Sequence, residues 1–223
     1  MIRGAIFDVD GTLLDTMPVW TDAGARYLAS LGIEAEEGLG AKLFSMTVDM
    51  GAVYLKENYP LSQSLSEIKK GINGAVENYY FTEADFKPGA RELLDQMKEA
   101  GIRMSVATST DKYCILAAFE RLDCASYFDV ILTCGEVGAS KSNPKIFYEA
   151  IKAMNTPVEE TWLFEDGLYS IKTAKAEGFK IVGVYDSVSE ADQEEIRIWS
   201  DIYVRDLSRL SVQSGFLTGG ADW

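Results

Sequence analysis

Asp8-Val9-Asp10-Gly11-Thr12 sets two carboxylates two residues apart with a glycine directly behind them. Carboxylates so spaced in a loop can point into one site, while Gly11 lets the chain turn sharply. One can serve as a nucleophile and the other as a general acid toward a leaving oxygen. The ordinary alternative is an Asp-Gly turn, which is common. By average residue usage the whole pentapeptide arises by chance in roughly one chain of this length in several hundred, and here it directly follows an apolar run, which favours a site. Thr108-Ser109-Thr110 offers hydroxyls and backbone N–H groups to an anionic oxygen, unless Thr108 simply caps the helix beginning near Lys112. Lys141 can neutralise charge in such a site, although a loop lysine is usually solvated. Glu165-Asp166 can supply oxygen ligands to Mg²⁺, or form a turn before a helix.

Each of these segments follows or adjoins a short apolar run. Ile2 to Phe7 ends abruptly at Asp8, which suits a buried parallel strand rather than a helix. Similar runs recur at Arg103 to Ala107, Val130 to Leu132, Thr161 to Phe164, Lys180 to Val184 and Ile202 to Val204. Helical patterns lie between most of them, at Gly89 to Ala100, Lys112 to Leu122, Pro144 to Met154, Ser170 to Glu177 and Glu190 to Ser200. Leu93, Leu94 and Met97 form one apolar stripe, and Gly101 marks a helix stop. Such alternation specifies an α/β fold, a doubly wound parallel sheet covered on both faces. In that fold the ligand crevice forms at the C-terminal strand ends, where the candidate residues fall.

The interval from Asp15 to Lys87 breaks the alternation. It holds helix-like stretches at Pro18 to Leu31, Leu39 to Phe44, Val48 to Glu57 and Leu65 to Phe81, and no clear strand. Pro18 suits a helix start and Gly32 its end, and Ser64-Leu65-Ser66-Glu67 has capping-box spacing. The expected organisation is a core of residues 1–15 and 88–223 with an inserted α-helical cap of residues 16–87. A lid is the functional reading of the insert and extra packing helices the plainer one. Hinges for a lid would fall near Leu14 to Met17 and Phe86 to Gly89. The tail from Gly215 to Trp223, with Gly219-Gly220, is expected to be loose.

Composition narrows the function further. The 223 residues include no histidine, which removes Ser-His-Asp and Cys-His catalysis and His-ligated zinc or haem. With 21 Lys+Arg against 35 Asp+Glu the formal charge is −14, unsuited to nucleic acid or an anionic membrane. No apolar run approaches the length of a membrane span, and Met1 to Asp10 reaches a charged strand end too soon for a signal peptide. Cys114, Cys124 and Cys134 are odd in number and lack a C-x-x-C pair, so a cytoplasmic location with reduced thiols is expected.

Taken in order, Asp8 to Thr12, Thr108, Lys141 and Glu165-Asp166 resemble the four motifs of the haloacid dehalogenase (HAD) superfamily. The resemblance implies two-step phosphoryl transfer. Asp8 would attack phosphorus, and Asp10 would protonate the leaving alcohol and then activate water. It places Mg²⁺ on the Asp8 and Asp166 carboxylates and the Asp10 carbonyl, with Glu165 nearby, and catalytic roles on Thr108 and Lys141. Gly11, Thr12, Ser109 and Thr110 would line the phosphate. Asp10 argues against a dehalogenase, since that branch lacks this acid.

The helical insert is similar to the C1 cap of subfamily I, shared by phosphoglycolate phosphatases and β-phosphoglucomutase-like proteins. Three departures matter. Trp20 stands where the mutase has a histidine, Ser45-Met46-Thr47-Val48-Asp49 lacks its arginine, and Lys141-Ser142-Asn143-Pro144-Lys145 loses one proline and the acid of the usual run. The first two favour a hydrolase of small phosphomonoesters, such as sugar phosphates, over a phosphotransferase. A non-catalytic phosphate-ligand binding protein is the remaining alternative. Met17, Trp20, Met46, Met50 and Tyr54 are the cap residues expected to face the substrate, with internal packing as the competing role. The expected partner is a small phosphorylated metabolite, and the expected state a monomer or weak homodimer.

Overall fold

The structure, a computed structural model, describes residues 1–44, 46, 48–213 and 215–219. Ser45 and Thr47, in the segment without arginine, and the last four residues of the tail lie outside the described residues. The elements run β1 (Gly4–Phe7), α1 (Met17–Ser30), α2 (Leu39–Phe44), α3 (Val48–Asn58), α4 (Leu65–Thr82), α5 (Ala90–Glu99), β2 (Arg103–Thr108), α6 (Lys112–Arg121), β3 (Val130–Thr133), α7 (Cys134–Val137), α8 (Lys145–Met154), β4 (Thr161–Glu165), α9 (Leu168–Ala176), β5 (Lys180–Val184), α10 (Gln193–Trp199), β6 (Ile202–Val204), β7 (Leu210–Gln213) and β8 (Phe216–Gly219). The chain forms two compact units, Met1–Asp15 with the chain from Asp85 onward, and Thr16–Ala84.

In the first unit six parallel strands form one sheet in the order β3-β2-β1-β4-β5-β6. The six apolar runs of the sequence are these six strands. β1 sits inside the sheet between β2 and β4 and is buried along its whole length, as a strand covered on both faces must be. Its Phe7 stacks on Phe164 of β4 with ring centroids 4.4 Å apart. One face of the sheet packs Ile6, Leu163 and Ile181 against Phe147 of α8, Ile171 of α9 and Ile196 of α10. α8 shows why these helices dock: Ile146, Phe147, Ala150 and Met154 share one buried face. Gly89 precedes α5 as its N-cap, and its φ of +79° and close approach to the Ser208 backbone, 2.0 Å from where a Cβ would stand, require glycine there.

Two expectations need correction. Residues 215–219 of the tail are not loose, because β7 and β8 pair antiparallel as a hairpin. Leu210 and Leu217 are buried, and the Val212 amide donates to the Gln96 side chain of α5 at 3.0 Å. The helix expected from Glu190 begins only at Gln193. Asp186 caps a 3₁₀ turn through the Val188 amide at 2.9 Å, and Ser189 adopts non-helical angles inside it.

In the second unit α1 packs on α2 and α4, and α3 on α4. Pro occupies the first turn of α1, and Gly32 beyond its end has φ +73°. Ser64 and Glu67 close the expected capping box of α4. Gly71 of α4 lets the Tyr27 ring of α1 lie against the helix, since a Cβ there would stand 2.1 Å from Tyr27 Cε2. A cavity of about 200 Å³ among these helices is bordered by Trp20, Leu43, Met46, Ile72 and Val76. Among the described residues no helix is long and apolar enough to cross a membrane.

Candidate active site

Strand ends of the first unit gather the acidic residues. The Asp8 amide donates to the Phe164 carbonyl at 3.0 Å, extending the β1–β4 ladder by one residue and setting Asp8 at the rim of the sheet. The chain then turns tightly. The Val9 carbonyl accepts from Thr12 (3.3 Å), Leu13 (3.0 Å) and Leu14 (2.8 Å), a turn that Gly11 permits with φ +84°. Glu165 is the last residue of β4, and Asp166 follows it. Asp8, Glu165 and Asp166 are buried, with carboxylate oxygens within 4.8 Å of one another.

Lys141 enters this cluster from the loop before α8 and is buried as well. Its ammonium donates to Asp8, 133 residues away in sequence, and to Glu165 at 2.9 Å. Glu165 also accepts from the Ser170 hydroxyl at 2.7 Å and the Gly167 amide at 3.0 Å. Burial, joined by the charges of Glu165 and Asp10, outweighs Lys141 and pushes the Asp8 carboxyl up to about 8. Burial likewise raises Asp166 well above the usual carboxylate range, with Asp8 and Glu165 adding to it. Burial alone would depress the Lys141 ammonium, but Asp8 and Glu165 hold it well above the usual lysine range.

Asp10 stands apart from the three-carboxylate cluster and meets hydroxyls instead. Thr110 donates to it at 2.7 Å and Thr108, at the end of β2, at 3.4 Å. Thr108 does not cap α6: Asp111 holds that position, and the Thr108 hydroxyl accepts from the Thr110 amide at 3.0 Å. Thr12 is fully buried and donates to Asp166 at 3.2 Å. Ser109 is exposed, with its Oγ 3.5 Å from Cys134 Sγ. The structure thus gathers the predicted residues at the strand ends in three bonded groups: Lys141 with Asp8 and Glu165, Thr12 with Asp166, and Thr108 and Thr110 with Asp10. Ser109 lies outside them. Trp20 belongs to the helical unit, where its indole N–H donates to the Tyr80 hydroxyl at 3.3 Å and its side chain borders the cavity with Met46. Tyr54 donates to Glu36 at 2.7 Å, and Met50 is exposed.

Sequence reasoning missed Ser170, which anchors Glu165. A serine in the first turn of the helix after an acidic strand end is a signal that could have found it. It also missed Lys87 and Asp186, buried partners 99 residues apart, for which no local signal exists.

Three buried carboxylates thus stand at the head of a doubly wound parallel sheet, two of them paired with a buried lysine. The sequence matches the haloacid dehalogenase-like hydrolase family over residues 5–184, and the chain belongs to that family. It is a hydrolase of the phosphatase kind, as its named relatives are. A phosphorylated carbohydrates phosphatase of Thermotoga maritima is 30% identical over 190 residues, covering 85% of this chain and 88% of that protein. Hexitol phosphatase B of Escherichia coli is 24% identical over 220 residues, covering 95% and 96%. A Thermotoga maritima crystal structure described as a candidate β-phosphoglucomutase superposes with a TM-score of 0.81 at 28% identity, covering 91% of this chain and 94% of that one.

Proposed function

We propose that the protein is a Mg²⁺-dependent phosphatase of small phosphomonoesters, sugar phosphates foremost, acting through an aspartyl-phosphate on Asp8. The observation that carries this reading is the buried Asp8 beside Lys141, Glu165 and Asp166. The donor set fits a hard divalent cation. It consists of carboxylate oxygens, and the three carboxylates, once a cation has displaced their protons, leave two negative charges beyond the one ammonium for it to balance. Asp8 and Asp166 would hold Mg²⁺ with the Asp10 carbonyl, while Glu165, taken up by Lys141, Ser170 and Gly167, orients the lysine. Bound there, Mg²⁺ would supply charge neutralisation at the phosphoryl oxygens.

The chain's own residues carry the steps. An Asp8 oxygen attacks phosphorus and the ester P–O bond breaks, with Asp10 passing a proton to the leaving oxygen. Asp10, held by Thr110 and Thr108, then takes a proton from water as that water attacks the phosphorus, which frees Asp8 and inorganic phosphate. Lys141 offsets charge between nucleophile and phosphoryl group. Thr108, with Gly11, Thr12, Ser109 and Thr110, lines the phosphate.

The helical unit is the proposed cap that selects the substrate. Its Arg26 pairs with Glu83 at 2.9 Å, Lys42 with Glu36 at 2.9 Å and Lys69 with Asp49, while Lys56 donates to two carbonyls. Lys70 is exposed beside these, so it is the lack of an arginine in residues 45–49 that favours a leaving group without a second phosphate. The free thiols of Cys114, Cys124 and Cys134 suit a cytoplasmic setting.

Phosphate release from a panel of sugar phosphates, nucleotides and small organic phosphates, with and without Mg²⁺, tests the proposal. Release that requires Mg²⁺ and falls by about 10³-fold or more in Asp8→Asn is expected. Release that persists in Asp8→Asn would overturn the mechanism. A phosphorylated product in place of free phosphate would identify a transferase.

A further inference from the structure

One lysine of the sheet's rim lies outside the acidic cluster and is buried all the same. Lys87 has 10% of its side chain exposed and its partner Asp186 only 6%. A lysine ammonium has three N–H donors, and each has an acceptor here: the Gly11 carbonyl at 2.7 Å, the Tyr185 carbonyl at 2.8 Å and Asp186 Oδ2 at 2.8 Å. The Lys87 backbone amide donates to the Leu13 carbonyl at 2.8 Å. Residue 87 therefore grips the turn after Asp10 at two points. Asp186 is itself fixed, since its second oxygen accepts from the Val188 amide and its carbonyl from the Gln193 side chain at 3.1 Å.

The direction of these bonds matters. β4 lies between β1 and β5 in the sheet, so the lysine ties the loops after β1 and β5 across the end of the strand that carries Glu165. Gly11 is the least self-determined residue of the turn, because glycine has no Cβ to restrict it. Its carbonyl needs an outside tie to keep one orientation, and Lys87 provides one. A buried ion pair kept for stability alone could be replaced by apolar side chains at little cost. Two of the three donors here go to main-chain carbonyls, which an apolar side chain cannot satisfy.

We infer that Lys87 is a positioning residue, which holds the Asp8–Thr12 turn in its working shape by clamping the Gly11 carbonyl to the end of β5. This rests on the reading of Asp8 and Asp10 as the catalytic pair. Lys87→Met alone would strand a buried Asp186 charge and endanger folding, so the decisive variant is Lys87→Met/Asp186→Asn. Relative to wild type, that double variant is expected to melt lower, because the Gly11 and Tyr185 carbonyls lose their donor, but to remain folded at the assay temperature and to keep its KM. Its kcat for phosphate release should drop on the order of 10- to 100-fold, the cost of misplaced reacting groups. Amide hydrogen exchange of residues 9–14 should be faster, with exchange in the sheet unchanged. A folded double variant with wild-type kcat overturns the inference. Were wild type inactive, or its activity indifferent to Asp8→Asn, the catalytic reading would fail separately. Hydrogen exchange would then decide, and unchanged exchange at 9–14 would overturn the clamp.

Discussion

Charge is handled in opposite ways at the rim of the sheet and in the helical unit of this protein. At the rim of the sheet, Lys141 meets Asp8 and Glu165, and Lys87 meets Asp186, with side chains at most 10% exposed and partners drawn from distant segments. In the helical unit, Arg26–Glu83, Lys42–Glu36 and Lys69–Asp49 sit on the surface, open to water. A buried charge must be matched atom by atom, because an unpaired one is costly in low dielectric. A surface pair gains little, since water already solvates both partners. The lesson is that the sheet's rim holds its geometry through electrostatics and the helical unit through packing.

Lys141→Met should break that contrast most severely. Removing one partner of a buried pair typically costs about 3–5 kcal/mol, and thermal melting checks it. A loss below about 1 kcal/mol, the range of surface pairs, would erase the distinction between the rim and the helical unit.

Melting against pH gives the next effect. Asp8 titrates near 8 in the folded protein and near 3.8 in an ordinary peptide, so between those values the folded state holds a proton that the unfolded state has released. Stability of the metal-free protein should therefore fall as pH rises from about 4 toward 8 and level off above. Asp8→Asn should flatten that slope, and Mg²⁺ should do so too by favouring the ionised carboxylates. Identical slopes in wild type and Asp8→Asn would contradict the raised Asp8.

Packing is the corresponding weakness of the helical unit. Gly71→Ala drives a methyl into the Tyr27 ring and should cost about 1–3 kcal/mol, the usual range for overpacking. The measured loss should appear in the melting temperature while the pH slope stays as in wild type. At the lower end, Glu83→Gln removes the partner of Arg26 on the surface and should change stability by at most about 1 kcal/mol. A larger loss would mean that the helical unit too depends on paired charge.

Much of the fold could be read in advance because its signals are local. The six sheet strands are short apolar runs stopped by polar residues, and the α4 capping box needs only Ser64 and Glu67, three residues apart. The β7–β8 hairpin escaped because its apolar positions are few and interleaved with Ser211, Gln213 and Thr218, and only packing of β7 on α5 and β8 on β6 buries them. Asp186 displaced the start of α10 by capping a turn that propensity alone does not reveal.

The sequence by itself determined which side chains stand at strand ends, since the pattern that ends a buried strand also marks Asp8, Thr108 and Glu165. It determined equally that histidine chemistry has no place here. Only the tertiary structure decided what those side chains touch: Thr110 on Asp10, Ser170 on Glu165, and Lys87 on Gly11 and Asp186. The last of these joins residues 76 and 99 positions apart. The physical reason is that strand and helix periods are properties of neighbouring residues. A buried ammonium finds its three acceptors only after parallel strands have brought remote loops to one edge of the sheet.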